Sequence, residues 1–224
     1  MVLYDAHTHC NNINNPNIIS VFNIIADAHN TPSLSKGKYF SIGIHPWYLS
    51  DWELALKQLQ KIAIRKEIVA IGECGLDFNN ATNKEIQKEV FIKQVRLSEK
   101  IRKPMLIHSV RTYADILSIR KEKKVKQKWL FHAYNSSWQM TEQLLNNNCY
   151  FSFGEMSLKE SKNITEVIKK IPLTRMLIET DENENCLLQV YQKISEIRKI
   201  GIEQLISIQK DNFKDFYEII DNND

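Results

Sequence analysis

The 224-residue sequence has no apolar run near the roughly 20 residues that cross a bilayer, which excludes a membrane-spanning helix. Its opening stretch, "MVLYDAHTHC", has neither a basic n-region nor an apolar h-region, so no secretory leader is expected and the expected location is cytoplasmic. Cysteine is sparse. Without a leader, Cys10, Cys74, Cys149 and Cys186 are expected as free thiols and not as a disulfide framework. Charge of one sign is also lacking: 30 Lys and Arg against 27 Asp and Glu leave +3, too little to argue by itself for a nucleic-acid partner. No internal repeat and no linker interrupts the chain, so residues 1–224 read as a single domain, with 43% hydrophobic content to fill one core.

What is present is a series of short apolar runs rich in Val, Ile, Phe and Tyr: "MVLYDAH", "IISVFN", "KYFSIGIHP", "EIVAIGECGLDF", "KPMLIHSV", "KWLFHAYN", "CYFSFG" and "RMLIETD". Continuous apolar runs suit parallel strands buried on both faces. Stretches with helical spacing follow most of them, over 50–66, 83–102, 111–121, 137–147, 158–170 and 184–200, and "IEQLISIQKDNFKDFYEII" supplies a final helix. Eight strands alternating with helices predict an α/β fold, a (β/α)8 TIM barrel. Its first crossover helix is missing or reduced, because "CNNINNPN" is too short for one and "DAHNTPSLSKGK" offers at most a stub.

Barrel enzymes assemble their sites at the C-terminal ends of strands. In "DAHTHC" alternate residues of a strand share a face, so His7 and His9 project together. The ends of the later runs carry His45, Glu73, His108, His132, Glu179 and Asp181. Of the six histidines only His29 falls elsewhere. Each such residue taken alone is more often structural; their convergence on one end of so many strands is not explained that way. Imidazole and carboxylate donors suit divalent ions, with Mg²⁺, Mn²⁺ and Zn²⁺ all compatible. Four histidines and two carboxylates over-supply one ion, whereas two ions with Glu73 reaching both would use that whole set, and such centres commonly serve hydrolysis.

The ordered motifs "DAHTHC", "GIHPW", "IGECGLDF", "PMLIHSV", "FHAYNSS", "YFSFG" and "IPLTRMLIETD" resemble those of the TatD family of metal-dependent deoxyribonucleases, which are amidohydrolase-like barrels. The resemblance runs from Asp5 to Asp181, and "DNFKDF" weakly resembles the family's closing Asn-x-x-x-x-Phe pattern. It implies that His7 and His9 with Asp181 hold one ion, that His108 and His132 hold the other, and that Glu73 bridges. It implies a metal-activated water attacking a DNA phosphodiester, with Asp181 accepting its proton, as in 3′-end trimming. His45 matches a family histidine assigned to substrate phosphate, and Asp77 one that positions a ligand or binds substrate. Asp5 is placed to orient the histidines or to secure its strand.

Three departures bear on the substrate. The family's "IHSR" is "IHSVR" here, which moves the arginine to Arg111; "ETD" continues as "ENENC", adding Glu182 and Glu184; and the first crossover helix is reduced. The basic run over 120–128 precedes the sixth strand, so it reads as a solvated surface at the end of the barrel away from the ligands. DNA contacts are expected instead from Arg111, Lys159 and Lys162, with Trp47, Tyr48, Tyr134 and Trp138 as candidates for base stacking. A binuclear hydrolase acting on a small phosphate ester, nucleotide, amide-like compound or other non-polymeric substrate, and a metal-binding barrel acting through partners, are the alternatives. A monomer without membrane or obligatory protein partner is expected.

Overall fold

The computed structural model describes residues 1–10, 15–80 and 82–219. Eight strands occur in order: β1 (Leu3–Thr8), β2 (Ile18–Ile25), β3 (Tyr39–Gly43), β4 (Ile68–Asp77), β5 (Met105–Val110), β6 (Trp129–Phe131), β7 (Cys149–Phe153) and β8 (Met176–Ile178). They lie in chain order in one eight-stranded sheet. Helices α1 (Trp52–Ile62), α2 (Lys84–Ile101), α3 (Tyr113–Glu122), α4 (Trp138–Leu145), α5 (Lys162–Lys170), α6 (Leu187–Arg198) and α7 (Ile202–Tyr217) follow from β3 onward. This is the (β/α)8 architecture. The connection from β2 to β3 contains no helix, as its composition predicts; in the one from β1 to β2, residues 11–14 lie outside the described residues. No helix among the described residues is long and apolar enough to cross a membrane.

The chain divides into two compact units, Met1–Phe22 with His132–Asp224, and Asn23–Phe131. In the first, β1 pairs in parallel with β2 and β7 with β8. Its core holds Tyr4, Phe151, Phe153, Tyr191, Phe213 and Phe216. Helix α7 is tied to the strands by amides: Gln209 Nε2 donates to Met176 O at 3.0 Å, and Asn212 Nδ2 to Leu173 O and Met176 O, both at 2.7 Å. Asn212 and Phe213 belong to the "DNFKDF" tail, whose role here is to close carbonyls that the short β8 leaves open.

In the second unit β4 is buried at all ten positions, which explains its unbroken apolar run. It pairs in parallel with β3 and β5, and β5 with β6. Helix α2 begins where Asn83 caps it, its side chain accepting from Glu85 N and Ile86 N. It lays Val90, Phe91, Val95 and Leu97 into the core. Arg120 corrects one expectation. It is 4% exposed, stacks on Trp129 at 4.7 Å and donates to Gln127 O, so the start of the basic run is packed and not solvated.

Candidate metal centre

In the first unit the end of β1 is fastened to the residue that carries the carboxylate. Asp181 N donates to His7 O at 3.0 Å and His9 N donates to Asp181 O at 2.8 Å. These bonds hold Asp181 in the left-handed region, φ 55°, a conformation that Asp tolerates better than most residues. The clamp aims the side chains: His7 Nε2 lies 3.5 Å and His9 Nε2 3.6 Å from Asp181 Oδ1. The His132 ring, just past β6, lies 4.8 Å from that of His7. His7, His132 and Asp181 each offer a donor atom within 4.8 Å of the others. Asp5 secures the segment by accepting from Thr180 N at 2.9 Å and Thr180 Oγ1 at 2.8 Å. Burial pushes its carboxyl up to about 7 against those hydrogen bonds.

Glu179 lies fully buried behind this group. Its carboxylate accepts from Ala133 N and Ser152 Oγ, both at 2.5 Å, and stands 4.0 Å from His132 Nδ1. Burial drives its pKa upward, with His132 opposing and Asp181 reinforcing the shift. The carboxylate thus holds the backbone beside His132 in place.

In the second unit Glu73, on β4, brings two histidines together. Its Oε1 is 3.2 Å from His45 Nε2 and 2.7 Å from His108 Nδ1, and the two rings are 4.5 Å apart. All three side chains are buried and supply donors within 4.8 Å of one another. Close approach of β4 to β5 makes this possible. Gly75, φ 157°, faces His108 in register, and a Cβ there would run into the His108 carbonyl. Asp77 Oδ2 accepts from Trp47 Nε1 at 2.6 Å and lies 3.5 Å from His108 Nε2. Burial favours its neutral form, but hydrogen bonds from Trp47 and Asn79 outweigh that and hold its pKa low.

Three amides that the motifs do not mark position this second group. Gln94 donates to Ile44 O at 3.0 Å and accepts from Ile44 N at 2.8 Å, fixing the backbone beside His45. Gln87, seven residues earlier on the same buried face of α2, does the same for Asp77, at 2.9 and 2.8 Å. Asn23 Oδ1 accepts from Glu73 N at 2.8 Å and Ser41 Oγ at 2.9 Å. A sequence signal did exist: glutamines at i and i+7 on the apolar face of a helix.

The expected ligands therefore gather into local groups, His7, His9, His132 and Asp181 in one unit and Glu73 and His108 in the other. His45, expected at substrate, stands as a third donor beside Glu73. Arg111 is exposed at the end of β5 in left-handed conformation, outside both groups. Tyr134 corrects its expected stacking role: it is 2% exposed, packs on Phe151 at 4.5 Å, and pairs its hydroxyl with Thr141. Imidazole nitrogens with one carboxylate per group fit a divalent transition ion such as Zn²⁺ or Mn²⁺.

A family model described as TatD related DNase matches residues 15–218. The chain is 32% identical over 198 residues to the uncharacterized metal-dependent hydrolase YabD of Bacillus subtilis, covering 81% of this chain and 78% of that one. It is 37% identical over 150 residues to an uncharacterized metal-dependent hydrolase of Buchnera aphidicola, covering 66% and 57%. Its fold matches the crystal structure of the TatD homologue YJJV of Escherichia coli with a TM-score of 0.83 at 21% identity, over 97% of this chain and 98% of that one.

Proposed function

The chain belongs to the TatD-related DNase family and is a metal-dependent hydrolase, and from this we propose that it cleaves phosphodiester bonds of DNA, trimming from a 3′ end. The observation that carries the reading is the pair of three-donor groups, His7–His132–Asp181, buried but for the part-exposed Asp181, and the fully buried His45–Glu73–His108. We propose that His7, His9, Glu73, His108, His132 and Asp181 hold two divalent ions. Mg²⁺, Mn²⁺ and Zn²⁺ all suit a phosphodiesterase, and the imidazole content favours the latter two.

Bound divalent ions withdraw charge from phosphoryl oxygens and lower the pKa of water. The protein's part is positioning and proton transfer. Asp181, whose side chain is 32% exposed, accepts the proton of the attacking water from the solvent side. Glu73 is 3% exposed and stays a ligand, with His45 and His108 fixing its orientation. Asp77 holds the indole of Trp47 beside the His108 ring, which lies 5.7 Å away.

The test is hydrolysis of labelled single-stranded and duplex DNA by metal-reconstituted protein beside Glu73→Ala and Asp181→Ala. Metal-dependent shortening is expected, reduced about 100-fold or more by Asp181→Ala. A second reading, hydrolysis of a small phosphate ester, draws on exposed Glu182 and Glu184, which follow Asp181 and repel a polyanion. DNA left intact by metal-loaded wild type that still turns over a small phosphate ester would replace the first reading with the second.

A further inference from the structure

Beside the second ligand group lies a cleft of about 380 Å³ that the hydrolytic chemistry does not use. It opens between the end of β2 with the turn after it and the loop that leads from β3 into α1. Ile25 and Ala28 give it apolar wall, the Tyr48 ring gives it an aromatic one, and Asp27, His29 and Asp51 give it a polar rim. Tyr48 is 54% exposed, which is high for a tyrosine at the mouth of a cleft. Its ring lies 5.8 Å from that of His45, whose Nε2 is 3.2 Å from Glu73 Oε1. Tyr48 thus both lines the cleft and neighbours the ligand group.

The lining selects among occupants. Among the described residues no Lys or Arg lines it while two carboxylates do, so it disfavours a phosphate. An aromatic face with hydrogen-bonding groups at its edge is instead the environment in which single-stranded nucleic-acid binders hold an unpaired base. Asp27 accepts from His29 N at 2.6 Å and from Asn30 Nδ2 at 3.1 Å, which keeps the carboxylate ionised and fixed while leaving lone pairs unused. Asp51 lies 3.9 Å from His29 Nε2 and makes no capping bond to its helix. Carboxylates at a base edge accept from exocyclic amines, which adenine, cytosine and guanine have and thymine lacks.

We infer that this cleft receives the unpaired terminal base of a DNA strand, stacked on Tyr48, with Asp27 and Asp51 favouring bases that carry an exocyclic amine. The inference rests on the nuclease reading, since it makes the adjacent ligand group the place where that base's phosphodiester is cut.

A binding measurement separates the two. The probe is a single-stranded oligonucleotide with 2-aminopurine as its 3′-terminal base and a phosphorothioate linkage before it, titrated with Mg²⁺-supplemented wild-type protein, Tyr48→Ala and Tyr48→Phe. Expected are quenching of 2-aminopurine by wild type and Tyr48→Phe, and affinity weakened about 10-fold in Tyr48→Ala. Asp51→Asn, a residue that tolerates left-handed backbone, is expected to narrow the preference for adenine, cytosine or guanine over thymine at the 3′ end. Absent quenching, or equal affinity of wild type and Tyr48→Ala, overturns the inference. Hydrolysis of the ordinary phosphodiester oligonucleotide is scored in parallel: quenching without hydrolysis keeps the cleft and rejects the nuclease reading, and hydrolysis without quenching does the reverse.

Discussion

A single phenol on α6 makes two hydrogen bonds to the main chain of one residue of the first strand. Tyr191 Oη accepts from Tyr4 N at 3.1 Å and donates to Tyr4 O at 2.8 Å, fully buried. Removing it in Tyr191→Phe deletes both of these buried hydrogen bonds, and the expected cost is about 1–3 kcal/mol, read from the midpoint of urea unfolding. An unchanged midpoint would show that relaxation or water replaces the hydroxyl. Gln94 works differently, since it grips the backbone beside His45 and not a strand. Gln94→Met is expected to weaken metal affinity up to about 10-fold, measured by calorimetric titration, because it loosens His45, the residue that orients the candidate ligand Glu73, and such outer partners typically contribute that much. At this scale the sequence showed the candidate donors and hid their supports. His7, His9 and Glu73 stand out because a strand end explains nothing else about them, whereas Gln87, Gln94 and Asn23 look like ordinary polar residues until burial, a property of distant chain segments, is known.

Elements are closed by cations at the ends remote from the ligands. Lys103 Nζ donates to Ala63 O at 2.6 Å, Arg65 O at 2.8 Å and Ile68 O at 2.6 Å, gathering the carbonyls between α1 and β4. Arg198 does the same after α5, for Ile168 O, Lys169 O and Ile171 O. Each supplies the donors that a helix C-terminus lacks. Lys103→Met is expected to destabilise the fold by about 2 kcal/mol, measured by denaturant unfolding at pH 7. Burial lowers the Lys103 pKa to about 8, with Glu67 opposing. Between about pH 8 and the ordinary lysine value the unfolded chain then binds the extra proton, so this residue's contribution to stability rises with pH. The gap between wild type and Lys103→Met should therefore widen from pH 8 to 10; a gap that narrows would contradict the shift. Element order was readable from the apolar runs, but ends were not. The helix expected over 158–170 starts at Lys162, because the Ser161 hydroxyl accepts from Ile164 N and a 3-10 turn takes Glu155–Leu158. Hydrophobic spacing continues through such a turn, so it does not mark the boundary.

For the whole molecule the expected consequence of ion binding is thermodynamic as well as catalytic. A ligand that binds only the folded chain at 1,000 times its dissociation constant adds about 4 kcal/mol. For a protein of this size that corresponds to a rise in melting temperature of roughly 8–16 °C. Scanning calorimetry with Mn²⁺ or Zn²⁺ and then with EDTA checks it. A melting temperature indifferent to both would remove the metal reading, and Asp181→Asn should show a much smaller response than wild type. The (β/α)8 class was legible from the count and spacing of apolar runs alone. Which donors stand together was not, because His132 and His7 meet across 125 residues and no local pattern encodes that distance.

The clamp between the end of β1 and Asp181 also sets an order in time. A ribosome making this chain releases His7 and His9 first, yet their carboxylate partner is 172 residues beyond His9. Until that point has been translated and has cleared the exit tunnel, the nascent chain presents His7 and His9 without the carboxylate that stands 3.5 and 3.6 Å from them in the fold. Assembly of the His7–His132–Asp181 group is therefore expected late in synthesis, and a chain truncated before residue 181 is expected to keep the His45–Glu73–His108 group and to lose the first.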